Sequence, residues 1–347
     1  ALPICDYCVD FAKQHGLKYR QDESLNVIIW KDGTSGYENS PAVILQGHID
    51  MVAVKEEDCV KDMEKEGLDL EIQDGYLSAK QTSLGGDDGI AVAYSLALLA
   101  STDIPHPPLE AVFTVDEEIG MLGAAAIDLS DLNGKIMLNM DSEDEGIFLA
   151  GCAGGASVRC DIPVTKGTET GVGRTLTLKG FTGGHSGTEI ICQRANTNVL
   201  MGRILMELNN EMSFFVTSIS GGEKDNAIAK VGKLELLIQP SDAQTFTETM
   251  EKITATLKRE YEVTDPDMQI VITEDNEEKE TLVYHPSCTM KLMLALVHLP
   301  YGVVKMSNDI KGLVQTSLNL GIIKETQDCV RLCYSVRSSV GSEKEWL

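Results

Sequence analysis

The sequence predicts an α/β domain followed by an α+β domain. In the first part, short apolar segments typical of buried strands alternate with helical patterns, which favours a mixed, mostly parallel sheet. From about residue 155 the pattern changes to runs of strands crossed by a few helices, which indicates a sheet with helices on one side. The 347 residues are enough for both, and we place the two domains at residues 1–165 and 166–347.

Apolar periodicity and turn residues define the elements of the first domain. Apolar residues at helical spacing, followed by Gly16, indicate an N-terminal helix, and Asp74-Gly75 marks the turn of a hairpin. We predict helices at residues 3–14, 89–99 and 120–126, strands at 25–30, 42–46, 109–113 and 135–139, and hairpin strands at 68–72 and 76–79.

The second domain contains more strands than helices. We predict strands at residues 157–164, 175–179, 214–219, 227–238, 269–273, 316–323 and 330–336, and helices at 195–208, 243–261 and 289–297. Near the end, Ser342 to Glu345 has the spacing of a capping box. Because a helix starts there and another element is already under way at the first residues, we expect a piece of a longer protein, truncated at both ends.

Composition restricts the classes of partner. There are 54 acidic against 29 basic residues, a formal charge of −25, which argues against nucleic acid and anionic membranes. The apolar runs are shorter than a membrane span. Nine scattered cysteines, an odd number, suit a reducing compartment, so we expect a cytoplasmic protein.

One histidine and several acids follow apolar segments at separate places in the first domain. In open α/β sheets, the carboxyl ends of the strands form the ligand-binding edge. An imidazole with carboxylates makes a nitrogen and oxygen donor set that suits Zn²⁺, Mn²⁺ or Co²⁺. Cations would also explain the crowding, since carboxylates alone raise one another's pKa values. The segments that carry these side chains are His48 to Asp50, Asp87-Asp88, Glu117-Glu118 and Asp141, and one histidine with three carboxylates would make the site.

Two neighbours of these ligands suggest further chemistry. Glu117 and Glu118 are adjacent at the end of a strand and therefore point in different directions, so one can bind a metal while the other handles a proton. Asp50 lies two residues beyond His48, where it can bond the second ring nitrogen and fix the tautomer.

Several motifs together closely resemble the di-zinc metallopeptidases, the family of carboxypeptidase G, the aminoacylases and the carnosinases. Three stretches are similar more narrowly to the members of this family that cleave Xaa-His dipeptides. They are Asp141 to Gly146, Gly151 to Gly155 and Thr316 to Asn319. The likeness keeps motif order over nearly the whole chain. The shared motifs are His48-Ile-Asp50-Met-Val, Ser83-Leu-Gly-Gly-Asp87-Asp-Gly, Glu117-Glu118-Ile-Gly-Met, Asn139-Met-Asp141-Ser-Glu and Gly184-His185-Ser186-Gly.

The resemblance implies a role for each matching residue. His48 and Asp141 would hold one zinc, Glu118 the other, and Asp87 would bridge both. Glu117 would be the general base, and Asp50 would orient His48. The first domain would be catalytic, and the second would be an inserted lid or dimerisation domain that forms a homodimer.

The resemblance also implies residues that meet the substrate, a short peptide. His185, in the second domain, would polarise the scissile carbonyl, in such families often from the partner subunit. Weaker candidates for gripping the substrate and its terminal carboxylate are Asn226, Ser317, Asn319 and Arg337.

Two departures from the family pattern are visible. Asp225 precedes Asn226 and Ala229 follows Ile228, where the family has Arg-Asn-Ala-Ile-Pro. A further histidine ligand for the second zinc, from a C-terminal segment of the family, has no counterpart here, because His285 and His298 lie in segments that match no ligand motif. We therefore expect the chain on its own to be impaired.

Three functions remain open on the sequence. The first is a metal-dependent dipeptidase, with Xaa-His peptides as the preferred substrates. The second is a tripeptide aminopeptidase or an N-acyl amino acid deacylase with the same site. The third is a metal-binding or dimerisation module without activity, against which the presence of Glu117 argues, since a scaffold does not need a general base.

Overall fold

The chain forms two compact units, Ala1–Phe148 and Leu149–Leu347, in a computed structural model that describes residues 2–56, 58–142 and 146–347. The predicted fold class, an α/β unit and an α+β unit, is confirmed. The division at residue 165 stays a prediction.

The first unit is built on a five-stranded mixed sheet with the order β1-β2-β6-β3-β7. Strand β3 runs parallel to β6 and β7, and β2 runs antiparallel to β1 and β6. The short strands β4 and β5 form the predicted hairpin. In chain order the elements are α1 (Leu2–Gln14), β1 (Lys18–Gln21), β2 (Val27–Lys31), β3 (Val43–His48), β4 (Leu70–Gln73), β5 (Tyr76–Ala79), α2 (Gly86–Ala100), β6 (Leu109–Thr114), α3 (Leu122–Ala126) and β7 (Ile136–Asn139).

The central strand β6 explains why this sheet has a firm core. All six of its side chains are buried, as expected for a strand covered on both faces. Apolar side chains of α1 and α2, among them Cys8 and Leu99, pack in one cluster with Phe113 of β6. Burial of such side chains contributes roughly 1.5–3 kcal/mol each. The core therefore fixes the strands whose ends carry the polar residues.

The second unit contains an eight-stranded antiparallel sheet with the order β14-β9-β13-β11-β16-β17-β8, and β15 pairs with β16. Helices α4, α5 and α6 supply apolar side chains to its core. In chain order the elements are β8 (Gly154–Pro163), β9 (Lys166–Lys179), β10 (Gly184–His185), α4 (Thr197–Glu211), β11 (Phe215–Gly221), β12 (Ala227–Ile228), β13 (Gly232–Ile238), α5 (Ala243–Glu260), β14 (Gln269–Tyr284), α6 (Pro286–His298), β15 (Gly302–Met306), β16 (Val314–Glu325), β17 (Cys329–Ser338) and α7 (Gly341–Trp346).

Three of the predicted boundaries that were wrong have clear physical reasons. The single strand predicted at 227–238 is split into β12 and β13, because the carbonyl groups of Ala229 and Val231 accept hydrogen bonds from Thr197 at the start of α4. Strand β14 continues to Tyr284, past the predicted residue 273, through a mostly polar stretch at the edge of the sheet. The predicted last helix is present as α7, but it begins at Gly341 after Val340, so Ser342 lies inside it and is not its cap.

Strands β1, β10 and β15 were not predicted. They are two to five residues long, and β1 carries mostly exposed side chains, so the alternation that reveals a strand is weak. Among the described helices, none combines the length and the apolar character that crossing a membrane requires.

Candidate metal centre

The parallel strands β3, β6 and β7 end at the same edge of the first sheet. His48 is the last residue of β3, Glu117 and Glu118 follow β6, and Asp141 follows β7. These residues come together because parallel strands present their carboxyl ends on one side. Of the motif from Asp141 to Gly146, residues 143–145 lie outside the described part of the chain.

Asp87 reaches the site in a different way from the one predicted. It does not follow a strand but lies in the first turn of α2, where its backbone is not helical. Its neighbour Asp88 was missed: the side chain is 1% exposed, and Oδ2 accepts a hydrogen bond from the backbone N–H of His48 at 3.3 Å. The only sequence signal for Asp88 was its position beside Asp87, and spacing alone did not distinguish the two.

Five side chains form two overlapping groups of potential ligands. In each group the ligand atoms all lie within 4.8 Å of one another. Nε2 of His48 is 3.0 Å from Oδ1 of Asp87 and 4.0 Å from Oδ1 of Asp141. The groups are His48, Asp87 and Glu118, and His48, Asp88 and Asp141.

Asp50 touches both His48 and the paired glutamates. Its backbone carbonyl is 2.9 Å from Nδ1 of His48, whereas its carboxylate Oδ1 is 3.6 Å from the same atom. The carboxylate instead accepts hydrogen bonds from the backbone N–H groups of Glu117 at 3.1 Å and Glu118 at 3.2 Å. The bond to Nδ1 leaves Nε2 of His48 turned toward the acids, as a metal ligand requires.

Crowding of acids changes the protonation of the site. Burial raises the pKa of Glu117, and burial with the nearby charge of Asp141 raises the pKa of Asp88 to about 6. Burial and the charge of Asp87 raise the pKa of Asp141. Burial alone would lower the pKa of His48, but its bonds to Asp87 and the Asp50 carbonyl, and the nearby acids, raise it.

These residues fit a divalent cation. One imidazole and four carboxylates form two overlapping groups of close ligand atoms, and a positive ion would relieve the repulsion that raises the carboxylate pKa values. Nitrogen and oxygen donors of this kind suit zinc, manganese or cobalt. The arrangement forms a candidate metal centre, with Glu117 close to the candidate ligands.

The predicted residues of the second unit form a cluster of their own. Nη2 of Arg337, on β17, is 3.5 Å from Nε2 of His185, on β10. Ser317 lies opposite Arg337 in the pairing of β16 with β17. Partial desolvation and the charge of Arg337 lower the pKa of His185, so its ring is neutral near pH 7.

Asn226 and Asn319 lie close to each other in this cluster, through hydrogen bonds of the segment around Asn226. Asn226 is exposed, and its carbonyl accepts a hydrogen bond from the backbone N–H of Ser186 at 2.9 Å. Asn319 is 1% exposed, and its Nδ2 donates to the carbonyls of Asp225 at 3.0 Å and Ala227 at 2.8 Å. Asn319 therefore supports the segment that presents Asn226.

The fold and the metal centre together define a metal-dependent hydrolase with a separate α+β unit. Residues 176–265 match the model of the M20 peptidase dimerisation domain. The chain is 33% identical to the cytosol non-specific dipeptidase of Escherichia coli (strain K12), over 99% of this chain and 71% of the relative.

A solved structure supports the same relation. The crystal structure of aminoacylhistidine dipeptidase from Vibrio alginolyticus matches with a TM-score of 0.76 and 35% identity, over 99% of this chain and 70% of that one. The chain belongs to the M20 family of metallopeptidases. The resemblance read from the motifs is confirmed.

Proposed function

We propose that the protein hydrolyses dipeptides, Xaa-His peptides among them, with two divalent cations at the centre formed by His48, Asp87, Glu118 and Asp141. The observation that carries the proposal is the convergence of these ligands beside Glu117 at one sheet edge, in a chain of this family. The names of the two relatives, a non-specific dipeptidase and an aminoacylhistidine dipeptidase, support dipeptides as the substrate class.

Zinc is the metal that we propose, with manganese or cobalt as substitutes. When bound, such ions polarise the scissile carbonyl and make water more acidic. His48 supplies the nitrogen ligand and the acids the oxygen ligands, and Asp88 is a further candidate because it lies in the second group of close ligand atoms.

Glu117 transfers the proton in this scheme. Its carboxylate accepts a proton from the water whose oxygen adds to the peptide carbonyl, and returns it to the amine as the C–N bond breaks. One water is consumed, and two amino acids leave. Burial raises the pKa of Glu117, which makes its carboxylate a stronger base than an exposed glutamate.

The residues of the second unit are assigned to the substrate. Arg337, with Asn226 and Ser317, would bind the terminal carboxylate of the peptide, since a guanidinium, an amide N–H and a hydroxyl can all donate hydrogen bonds to that group. His185 would donate to the scissile carbonyl, a role that rests on the motif Gly184 to Gly187. The match to a dimerisation domain supports a homodimer, and the name of the Escherichia coli relative supports a cytoplasmic location.

The first test compares the wild-type protein with Glu117→Gln on β-alanyl-histidine and other dipeptides, in the presence of Zn²⁺, Mn²⁺ or Co²⁺. We expect histidine release by the wild-type protein and a loss of about 10²- to 10⁴-fold in kcat for Glu117→Gln, because the proton acceptor is removed. Calorimetry should show metal binding by both proteins. The exposed Asp32→Asn is the matched control and should keep full activity.

Other outcomes select other functions. Cleavage of acylated amino acids or tripeptides, with dipeptides left intact, would keep the metal centre and replace the substrate class. Metal binding without hydrolysis of any of these compounds would favour a module that binds metal and has no activity.

A further inference from the structure

The paired glutamates lie in a loop whose backbone needs external support. We call the segment from Val115 to Gly123 this loop, although its last two residues are the first two of α3. Asp116 and Met121 have φ values of 56° and 57°, in the left-handed region that residues other than glycine rarely adopt. Such conformations persist when their surroundings hold them. The contacts at the ends of this loop therefore decide where its carboxylates lie.

Asn26 joins the two ends of this loop. Its Oδ1 accepts a hydrogen bond from the backbone N–H of Val115 at 3.1 Å, and its Nδ2 donates to the carbonyl of Gly123 at 3.0 Å. The N–H of Gly123 also donates directly to the carbonyl of Val115 at 3.1 Å. Asn26 is 1% exposed, so these bonds are shielded from water.

Asp22 fixes the orientation of the Asn26 amide. One carboxylate oxygen accepts from the backbone N–H of Asn26 at 2.9 Å, and the other accepts from Nδ2 of Asn26 at 2.8 Å. Since Nδ2 is held between Asp22 and Gly123, the amide oxygen must face Val115. A reversed amide would lose all three side-chain contacts.

Gly123 allows the ends of the loop to approach this closely. A Cβ atom at this position would lie 2.3 Å from the carbonyl oxygen of Val115 and 2.5 Å from Oδ1 of Asn26. A side chain is therefore excluded by the Asn26 contact itself and by the adjoining backbone.

We infer that Asn26 is a positioning residue for Glu117 and Glu118. It binds both ends of the Val115–Gly123 loop by hydrogen bonds, and the Asp50 carboxylate binds the backbone N–H groups in its middle. The inference rests on the proposed function, in which Glu117 moves the proton and Glu118 binds metal. Asn26 itself touches neither group. Its effect passes through the backbone of the loop.

The test compares Asn26→Ala with Ile29→Ala. Ile29 is fully buried on β2, close to Asn26 in sequence, and its truncation removes apolar core from the same unit while the hydrogen bonds of Asn26 stay in place. We expect Asn26→Ala to lower kcat by about 10- to 100-fold with KM changed far less, because misplacement of a catalytic group by about 1 Å has effects of that size. Ile29→Ala, measured well below its own unfolding temperature, should keep kcat near the wild-type value.

Two readouts do not depend on turnover. Hydrogen exchange of the Glu117 and Glu118 amides should become faster in Asn26→Ala and stay unchanged in Ile29→Ala. Zinc affinity, measured by calorimetry, should fall in Asn26→Ala, because Glu118 is a ligand on the loosened loop. If the wild-type protein hydrolyses no peptide, the proposed function fails, and these two measurements still decide whether Asn26 positions the loop.

Asp22→Ala serves as the milder second variant if Asn26→Ala does not fold. Asp22 is only partly buried, and its removal leaves the bonds from Asn26 to Val115 and Gly123 in place but frees the amide to rotate. A smaller change in the same direction is expected. Unchanged exchange of the Glu117 and Glu118 amides in both variants, or equal losses of kcat in Asn26→Ala and Ile29→Ala, would overturn the inference.

Discussion

Asp50 acts on two different parts of the metal centre. Its carbonyl is bonded to Nδ1 of His48, and its carboxylate accepts from the N–H groups of Glu117 and Glu118. Because the carbonyl belongs to the backbone, a side-chain substitution separates the two tasks.

We predict that Asp50→Asn lowers zinc affinity about 10- to 100-fold, the usual effect of removing a residue that orients ligands. The asparagine amide has one acceptor oxygen, so one of the N–H groups of Glu117 and Glu118 loses its partner. The substitution also removes a negative charge from the site. Calorimetric titration with Zn²⁺ measures the change, with Asp32→Asn as the control. Equal affinities for Asp50→Asn and the wild-type protein would contradict this assignment.

Except for Asp87, the metal-site residues that sequence reasoning found follow a recognisable strand or end it. His48 and Glu118 come directly after apolar runs, so their place at the sheet edge follows from the strand pattern. Asn26 and Asp88 could not be recognised in this way, because their importance lies in which backbone N–H groups they meet across long sequence separations. The use of the Asp50 carbonyl, in place of its carboxylate, was hidden for the same reason.

At the scale of elements, the carboxylate of Glu343 links α7 to strands β15 and β16 of the second sheet. Glu343 accepts hydrogen bonds from Gln315 at 2.8 Å and Thr316 at 2.6 Å, and it forms an ion pair with Lys305. The pKa of Glu343 is lowered to about 2, mostly by the bond to Lys305 and to a smaller extent by the bonds to Thr316 and Gln315.

This attachment should depend on pH. A carboxyl group whose pKa is depressed in the folded state stabilises the fold above its unfolded pKa, and the contribution is lost as pH falls through the folded value. We therefore predict that Glu343→Gln lowers the unfolding temperature at pH 7 and that the difference from the wild-type protein shrinks between about pH 4.5 and pH 2. Thermal unfolding followed by circular dichroism measures both proteins. A difference that does not vary with pH would show that Glu343 contributes through neutral hydrogen bonds alone.

Elements with a regular apolar pattern were the easiest to predict. Strand β6 and helix α4 were recognised because their core side chains recur at the spacing that each structure requires. The polar half of β14 was not, since an edge strand needs no apolar side chains to keep its backbone pairing with β9. The break between β12 and β13 depended on hydrogen bonds from a distant helix.

At the scale of the whole molecule, we predict a homodimer in solution. The match of residues 176–265 to a peptidase dimerisation domain supports this assembly. Sedimentation equilibrium should give about twice the chain mass of 37.7 kDa. The formal charge of −25 on each chain makes subunits repel, so added salt should leave the dimer intact or strengthen it. A mass of one chain at every concentration would contradict the proposal.

The change near residue 155, from alternating strands and helices to runs of strands, was enough to predict two kinds of architecture in one chain. It reflects a physical difference: parallel strands such as β3 need crossover segments between them, whereas antiparallel strands such as β16 and β17 can follow one another directly. The order of strands within the second sheet could not be predicted, because alternation shows which face of a strand is buried but does not show its neighbour.

The pairing of β8 with β17 has a consequence for synthesis on the ribosome. Strand β8 is the first of its sheet to leave the ribosome, and its partner β17 is the last, so β8 stays unpaired while more than half of that unit is made. The pairings among the five described strands of the first sheet, in contrast, can all form once β7 has emerged. While β8 is still unpaired, its backbone N–H and C=O groups are exposed. During this interval the nascent chain most needs protection from association with other chains.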